Sequence, residues 1–206
     1  MVQGIIAGGK RALVRSIEGA EDHAEDGAAA LDKKHITNRD AVVGIAACGL
    51  TPFVRGAIDH ARKIGAKTIF VTCAPEAKKY INADIVINPV VGPEVVTGST
   101  RMKAGTATKL VINTLTTGAM VKLGKVYGNL MVDLRATNAK LRDRTERIVM
   151  TACHVSRPKA KALICDAHGW AKAAIVMHGH HCGYEEACER LTVAGGFIHK
   201  ALGAKP

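Results

Sequence analysis

Ala41-Val42-Val43-Gly44-Ile45-Ala46-Ala47 is an unbroken run without a polar side chain, and Cys48-Gly49-Leu50-Thr51-Pro52 follows it directly. A short apolar run ending in a glycine turn reads as a strand buried on both faces, the kind found inside parallel sheets. Thr51 suits a helix N-cap, and Pro52 suits the first helical position, where a missing N–H costs nothing. The spacing therefore predicts a helix from Pro52 to about Lys63. Gly65 marks its end, residues 67–72 read as a second buried strand, and residues 84–87 as a shorter third. Strand, helix, strand in that order implies right-handed parallel crossovers, helices on both sheet faces, and ligands at the carboxyl ends of the strands. The predicted fold class is α/β, a doubly wound parallel sheet.

Two loops lie at that carboxyl edge. The first carries Cys48, Gly49 and Thr51. The second follows the third strand as Pro89-Val90-Val91-Gly92-Pro93-Glu94-Val95-Val96-Thr97-Gly98-Ser99-Thr100-Arg101-Met102-Lys103-Ala104-Gly105-Thr106-Ala107. It places the hydroxyls of Thr97, Ser99, Thr100 and Thr106, the cations Arg101 and Lys103, and the carboxylate Glu94 at the mouth of a predicted helix. Free N–H groups and the positive end of the macrodipole suit a phosphate or carboxylate there. The plainer reading is an N-cap followed by an ordinary helix.

Around this centre, helical spacing is expected over residues 5–17, broken by Gly8-Gly9, over residues 20–31, over residues 103–123 with the leucines and methionines of 110–123 in the core, and over residues 138–151. Gly124 and Gly128 interrupt the pattern between the last two. Beyond Ser156-Arg157-Pro158 the pieces 159–166, 170–177 and 184–191 and a short tail read as a small helical appendage. This gives a domain over 1–155 and a helical domain over 156–206. The 206 residues suffice for a sizeable core. The six cysteines read as free thiols, because disulfides are unusual in an intracellular α/β chain. His178, His180, His181, Cys182 and Cys188, with Cys165 and His168, carry metal-ligating atoms but follow no established zinc spacing, and no metal or other cofactor is assigned. No run approaches a membrane span and no signal-peptide pattern opens the sequence, so a cytoplasmic protein without membrane attachment is expected. The net charge of +11 favours anionic partners. It is spread over many elements, and one Trp, three Tyr and three Phe leave little to stack on bases, so nucleic acid is not the expected partner.

Val2-Gln3-Gly4-Ile5-Ile6-Ala7-Gly8-Gly9, Glu18-Gly19-Ala20-Glu21-Asp22, Val43-Gly44-Ile45-Ala46-Ala47, the loop from Gly92 to Thr106, and Gly124-Lys125-Val126-Tyr127-Gly128-Asn129-Leu130-Met131-Val132-Asp133 resemble the N-acetylmuramic acid 6-phosphate etherases. These are sugar isomerase (SIS) domain proteins related to the glucokinase regulatory protein. The resemblance covers nearly the whole chain and extends to Ala194-Gly195-Gly196. It implies a SIS-type sheet with a small C-terminal helical domain, a homodimer, and a lyase that cleaves the D-lactyl ether of a 6-phosphorylated amino sugar. By its place in Glu-Gly-Ala-Glu-Asp, Glu21 matches one of two catalytic glutamates of the family. Taken alone it would be one carboxylate among several on a solvated helix face.

Two departures accompany the match. The family's upstream strand, its Gly-Thr-Ser-Gly-Arg turn and the partner glutamate have no counterpart here. The expectation is a shortened chain with an unpaired apolar edge along 42–47, or a site completed by another polypeptide. Where the family reads Ser-Gly-Arg-Thr-Pro, this chain reads Cys48-Gly49-Leu50-Thr51-Pro52, exchanging a hydroxyl for a thiol and a guanidinium for an alkyl group. Three readings follow: an etherase-family enzyme, a phosphosugar-binding regulatory protein without turnover, and a basic interaction protein.

Overall fold

The computed structural model describes residues 2–134 and 136–203. The elements in chain order are α1 (Ala24–Asp32), β1 (Ala41–Ile45), α2 (Pro52–Ile64), β2 (Lys67–Val71), β3 (Ile85–Ile87), α3 (Lys103–Lys122), β4 (Val126–Tyr127), β5 (Leu130–Met131), α4 (Ala139–Cys153), α5 (Arg157–Asp166), α6 (Ala171–His180), α7 (Tyr184–Val193) and α8 (Ile198–Ala201). The chain divides into two compact units, Met1–Thr114 and Leu115–Pro206.

In the first unit β1, β2 and β3 form a parallel sheet in that order, with Ala41 opposite Lys67, Ile45 opposite Val71, and Ile69 opposite Ile85. Parallel pairing requires a crossover, and α2 supplies it between β1 and β2. Phe70 and Ile58 are fully buried where α2 covers the sheet, together with Ala46, Ala77 and Ile81. Side chains of that size each stabilise the fold by about 1.5–3 kcal/mol through burial. Leu31, Ala57, Ala61 and Ala66 form a second apolar cluster. There α1 and α2 approach so closely that only glycine fits: a Cβ on Gly27 would lie 2.0 Å from the Phe53 carbonyl oxygen, and one on Gly56 would lie 1.9 Å from that of Ala24.

Thr68 and Asp84 tie the start of β2 to the approach of β3. The Asp84 carboxylate accepts from the Thr68 N–H at 2.8 Å and its hydroxyl at 2.9 Å, and the Asp84 N–H donates back to the Thr68 hydroxyl at 3.0 Å. These donors hold the Asp84 carboxyl below its ordinary range, the backbone bond contributing most.

The strand expected to be buried on both faces is not. β1 is an edge strand of the three-stranded sheet, and Val43 and Ile45 are 39% and 38% exposed. Over residues 5–17 the break expected at Gly8-Gly9 is present, both glycines adopting positive φ, and the helical spacing yields only a 3₁₀ turn at Gly9–Leu13. α1 begins at Ala24 rather than Ala20 because Gly19, also at positive φ, starts a turn. The leucine and methionine positions of α3 are not core. Of its twenty residues only Ala104 is buried, and Leu110, Val121 and the following Leu123 are 57%, 42% and 60% exposed.

The second unit is built round α6, in which every residue from Ala171 to Met177 is buried. Val149, Ala160, Leu191 and Ile198 close on it, so α4 and Val132 share one core with the helices expected as a separate appendage. Lys172, 5% exposed, donates from Nζ to the Gly196 carbonyl at 2.8 Å, and burial lowers its pKa. Asn138 caps α4, its side-chain oxygen accepting from the Leu141 N–H at 2.9 Å. The interruption at Gly124 and Gly128 is a hairpin: β4 pairs antiparallel with β5 across a two-residue loop whose first member, Gly128, has φ +56°. Four histidines, His35, His154, His168 and His181, hold left-handed φ of 51–54° after helices, a position glycine or asparagine usually takes.

Candidate functional site

The carboxyl ends of β1 and β2 are locked together before any substrate group is considered. The Cys73 N–H donates to the Ala47 carbonyl at 3.0 Å, extending the ladder past β1. The buried Thr72 hydroxyl donates to the same carbonyl at 3.3 Å and accepts from the Ala74 N–H at 3.2 Å, while Asn88 Nδ2 donates to the Thr72 carbonyl at 2.7 Å. Gly49 turns the chain at φ +90°, and a Cβ there would lie 1.8 Å from that of Ala77, so the turn admits no side chain. It lies between Cys48 and Thr51, which both line the cleft beside β1.

Thr51 precedes α2, but its hydroxyl makes no capping bond. The cap comes from elsewhere: the Phe53 N–H donates to the main-chain carbonyl of Glu21 at 3.0 Å. That bond brings the segment before α1 to the mouth of α2 and fixes where the Glu21 side chain starts. A cleft of about 580 Å³ runs along the free edge of β1, and Glu21, Cys48, Thr51 and Thr100 all line it, as do Lys34 and Asp40. Four of the ten residues expected in the site therefore meet in one cavity, within the first unit.

The other six lie apart from its walls. Gly49 lines a smaller pocket with Leu50, Arg55 and Tyr80. Thr97 and Arg101 are exposed and Ser99 is half-buried on the loop. Glu94 is engaged at the start of α3: its Oε2 accepts from the Lys103 N–H at 3.0 Å and its Oε1 from the Ala104 N–H at 2.9 Å. The Lys103 ammonium reaches back to the Pro93 carbonyl at 2.9 Å. The Ala104 and Lys103 amides, in that order, hold the Glu94 carboxyl below the usual carboxylate range. The first N–H groups of α3, read from sequence as an anion cradle, are thus taken by a carboxylate of the same chain.

Sequence reasoning missed Thr72 and Asn88, whose signal was only a threonine at a strand end and an asparagine before Pro89. It also missed the capping by Glu21, which a main-chain carbonyl performs and no side-chain pattern encodes. The histidine and cysteine candidates do not form a metal centre: among the described residues no three His, Cys, Asp or Glu side chains converge. His180 Nε2 instead bonds to the Ala201 carbonyl at 2.8 Å, and all six cysteines are free. No helix of the described residues is long and apolar enough to cross a membrane.

A parallel three-stranded sheet with helical crossovers, and residues 1–62 that match the family model described as the glucokinase regulatory protein N-terminal SIS domain, define the class: a SIS-type protein. The chain is 57% identical over 204 residues to an N-acetylmuramic acid 6-phosphate etherase of Nostoc sp., which covers 99% of this chain and 66% of that relative. It is 50% identical over 202 residues to N-acetylmuramic acid 6-phosphate etherase 2 of Vibrio cholerae, covering 98% and 66%, and 50% identical over 206 residues to the etherase of Synechocystis sp., covering 100% and 68%. The chain belongs to the N-acetylmuramic acid 6-phosphate etherase family. It spans about two thirds of the length of these curated relatives.

Proposed function

We propose that this chain acts as a carbon–oxygen lyase on N-acetylmuramic acid 6-phosphate, yielding D-lactate and N-acetylglucosamine 6-phosphate, in the recycling of cell-wall sugars. The observation that carries the reading is the convergence of Glu21, Cys48, Thr51 and Thr100 on one cleft in a chain of this family. The chemistry needs only proton transfers. A base takes the C2 proton of the open-chain aldehyde, the lactate oxygen leaves C3 with a proton, and water adds across the resulting double bond. Glu21 is the acid/base group, and Thr51, Thr100 and the Cys48 turn face the phosphosugar. Gly49, Glu94, Thr97, Ser99, Arg101 and Lys103 complete the substrate loops around it.

In this reading the first unit carries the phosphosugar chemistry, and residues 156–206 together with α4 form the helical part of the second. The protein works in the cytoplasm as a homodimer, for which the exposed Leu110 and Val121 of α3 offer an apolar surface. A second reading, phosphosugar binding without turnover, is favoured by Leu50 in place of the family's arginine and by the match to a regulatory protein's SIS domain. A coupled assay for D-lactate separates the two. Release by the 206-residue chain that vanishes in Glu21→Gln supports the lyase. Binding of N-acetylglucosamine 6-phosphate with no lactate release supports the regulator and overturns the lyase.

A further inference from the structure

A second carboxylate, Glu94, precedes the loop whose Thr100 lines the cleft, and its bonding differs from that of a group free to meet substrate. Both Glu94 oxygens are used, one on each of the first two N–H groups of α3. The Lys103 ammonium closes the same junction from the other side by bonding to the Pro93 carbonyl. Residues 95–102 therefore form a loop whose two ends are bonded together. Inside it the Ser99 N–H donates to the Val96 carbonyl at 3.1 Å, and Thr100 is the loop residue that reaches the cleft wall. Without the closure, a loop containing Gly98 and six other exposed residues would have no fixed path.

Charge sharpens the point. A helix start of twenty residues attracts an anion through its first-turn amides. Here that anion is Glu94, ionised at neutral pH. A phosphate brought to the same amides would meet a like charge and find its donors engaged.

We propose that Glu94 is a positioning residue of the phosphosugar site: its carboxylate pins the 95–102 loop onto α3 so that Thr100 faces the cleft. The proposal rests on the phosphosugar reading above and assigns Glu94 a part in it through Thr100, without contact to the reacting atoms.

Three measurements on the full chain test it. In Glu94→Ala, KM for N-acetylmuramic acid 6-phosphate rises about tenfold while kcat stays within about threefold, the pattern of a displaced binding group. Added acetate, a free carboxylate of the right charge, restores KM in Glu94→Ala and has no such effect in Glu94→Gln, whose side chain still fills the place. Amide hydrogen exchange in Glu94→Ala speeds up across residues 95–104 and is unchanged in β2, which separates loop release from unfolding. A KM within twofold of the parent, a kcat collapse at constant KM, or unchanged exchange in the loop overturns the proposal. If the parent chain releases no lactate, the lyase reading has failed. The pinning is then judged by exchange and by calorimetric binding of N-acetylglucosamine 6-phosphate to parent and Glu94→Ala, where equal affinity overturns it.

Discussion

Replacing Gly56 with alanine probes how α1 sets the geometry of the cleft. The added Cβ would lie 1.9 Å from the Ala24 carbonyl oxygen, 2.6 Å from its carbon and 2.8 Å from the Ala24 Cα. All three atoms are backbone, so no rotamer change relieves the clash. Ordinary contact begins near 3.4 Å, and α1 and α2 must separate by about 1.5 Å in a close-packed layer. Helix propensity alone would favour alanine by about 1 kcal/mol. Overpacking costs about 1–3 kcal/mol, and a backbone-on-backbone clash belongs at or above the top of that range, so a net loss of about 2 kcal/mol is expected. The separation also pulls on the 3.0 Å bond from the Phe53 N–H to the Glu21 carbonyl. Moving a reacting group by about 1 Å costs on the order of 100-fold in rate. Urea denaturation followed by circular dichroism and the D-lactate assay read the two effects. Gly118→Ala is the control: its Cβ meets nothing within 4 Å, so it should stabilise the protein by about 1 kcal/mol and leave turnover alone. A Gly56→Ala protein with parental stability and parental kcat/KM would refute the reasoning.

Three further outcomes are expected. Because Thr68 holds the folded Asp84 carboxyl below its unfolded pKa, this contribution to stability is full above the unfolded value and is lost as pH falls through the folded one. Asp84→Asn should lower the urea midpoint at neutral pH and flatten its acid limb below about pH 4. His154→Gly removes a side chain from a left-handed φ of 53° at the end of α4 and should stabilise by about 0.5–1 kcal/mol in the same denaturation experiment. Burial pushes the Cys153 thiol up to about 11, so alkylation at mildly alkaline pH followed by peptide mass spectrometry should label the exposed Cys48 and Cys165 well before it.

The parallel sheet was legible because its signals are local. The run of residues 41–47, the Thr51-Pro52 helix start and the Gly65 stop each act within a few residues, and β1, α2 and β2 lie where they point. The same composition misled where burial depends on partners outside the segment. Val43 and Ile45 read as interior from their side chains, and only the resemblance pointed to the open edge on which they lie; the leucines and methionines of α3 read as core, yet none of them is buried. Hydrophobicity reports what a residue would gain from cover, not whether cover is there. The site divides along a similar line. Cys48 and Thr51 could be placed because they end a strand, and Thr100 because it sits in a loop at the same edge. Glu94 could be placed near a helix start from spacing alone, but its choice of partner depends on two amides nine and ten residues away presented at one angle. Gly27 and Gly56 gave no signal, since the need for glycine arises from another helix's backbone.

Glu21 meets the rest of the molecule through its main chain and meets the cleft through its side chain. The main-chain carbonyl that caps α2 is common to all twenty amino acids, so the scaffold is indifferent to what residue 21 carries, while the proposed chemistry turns on its carboxylate alone. A position divided in this way can lose or change its reactivity in a single substitution without first loosening the fold. Within a SIS scaffold it gives a short path between a catalyst and a sensor of the same sugar.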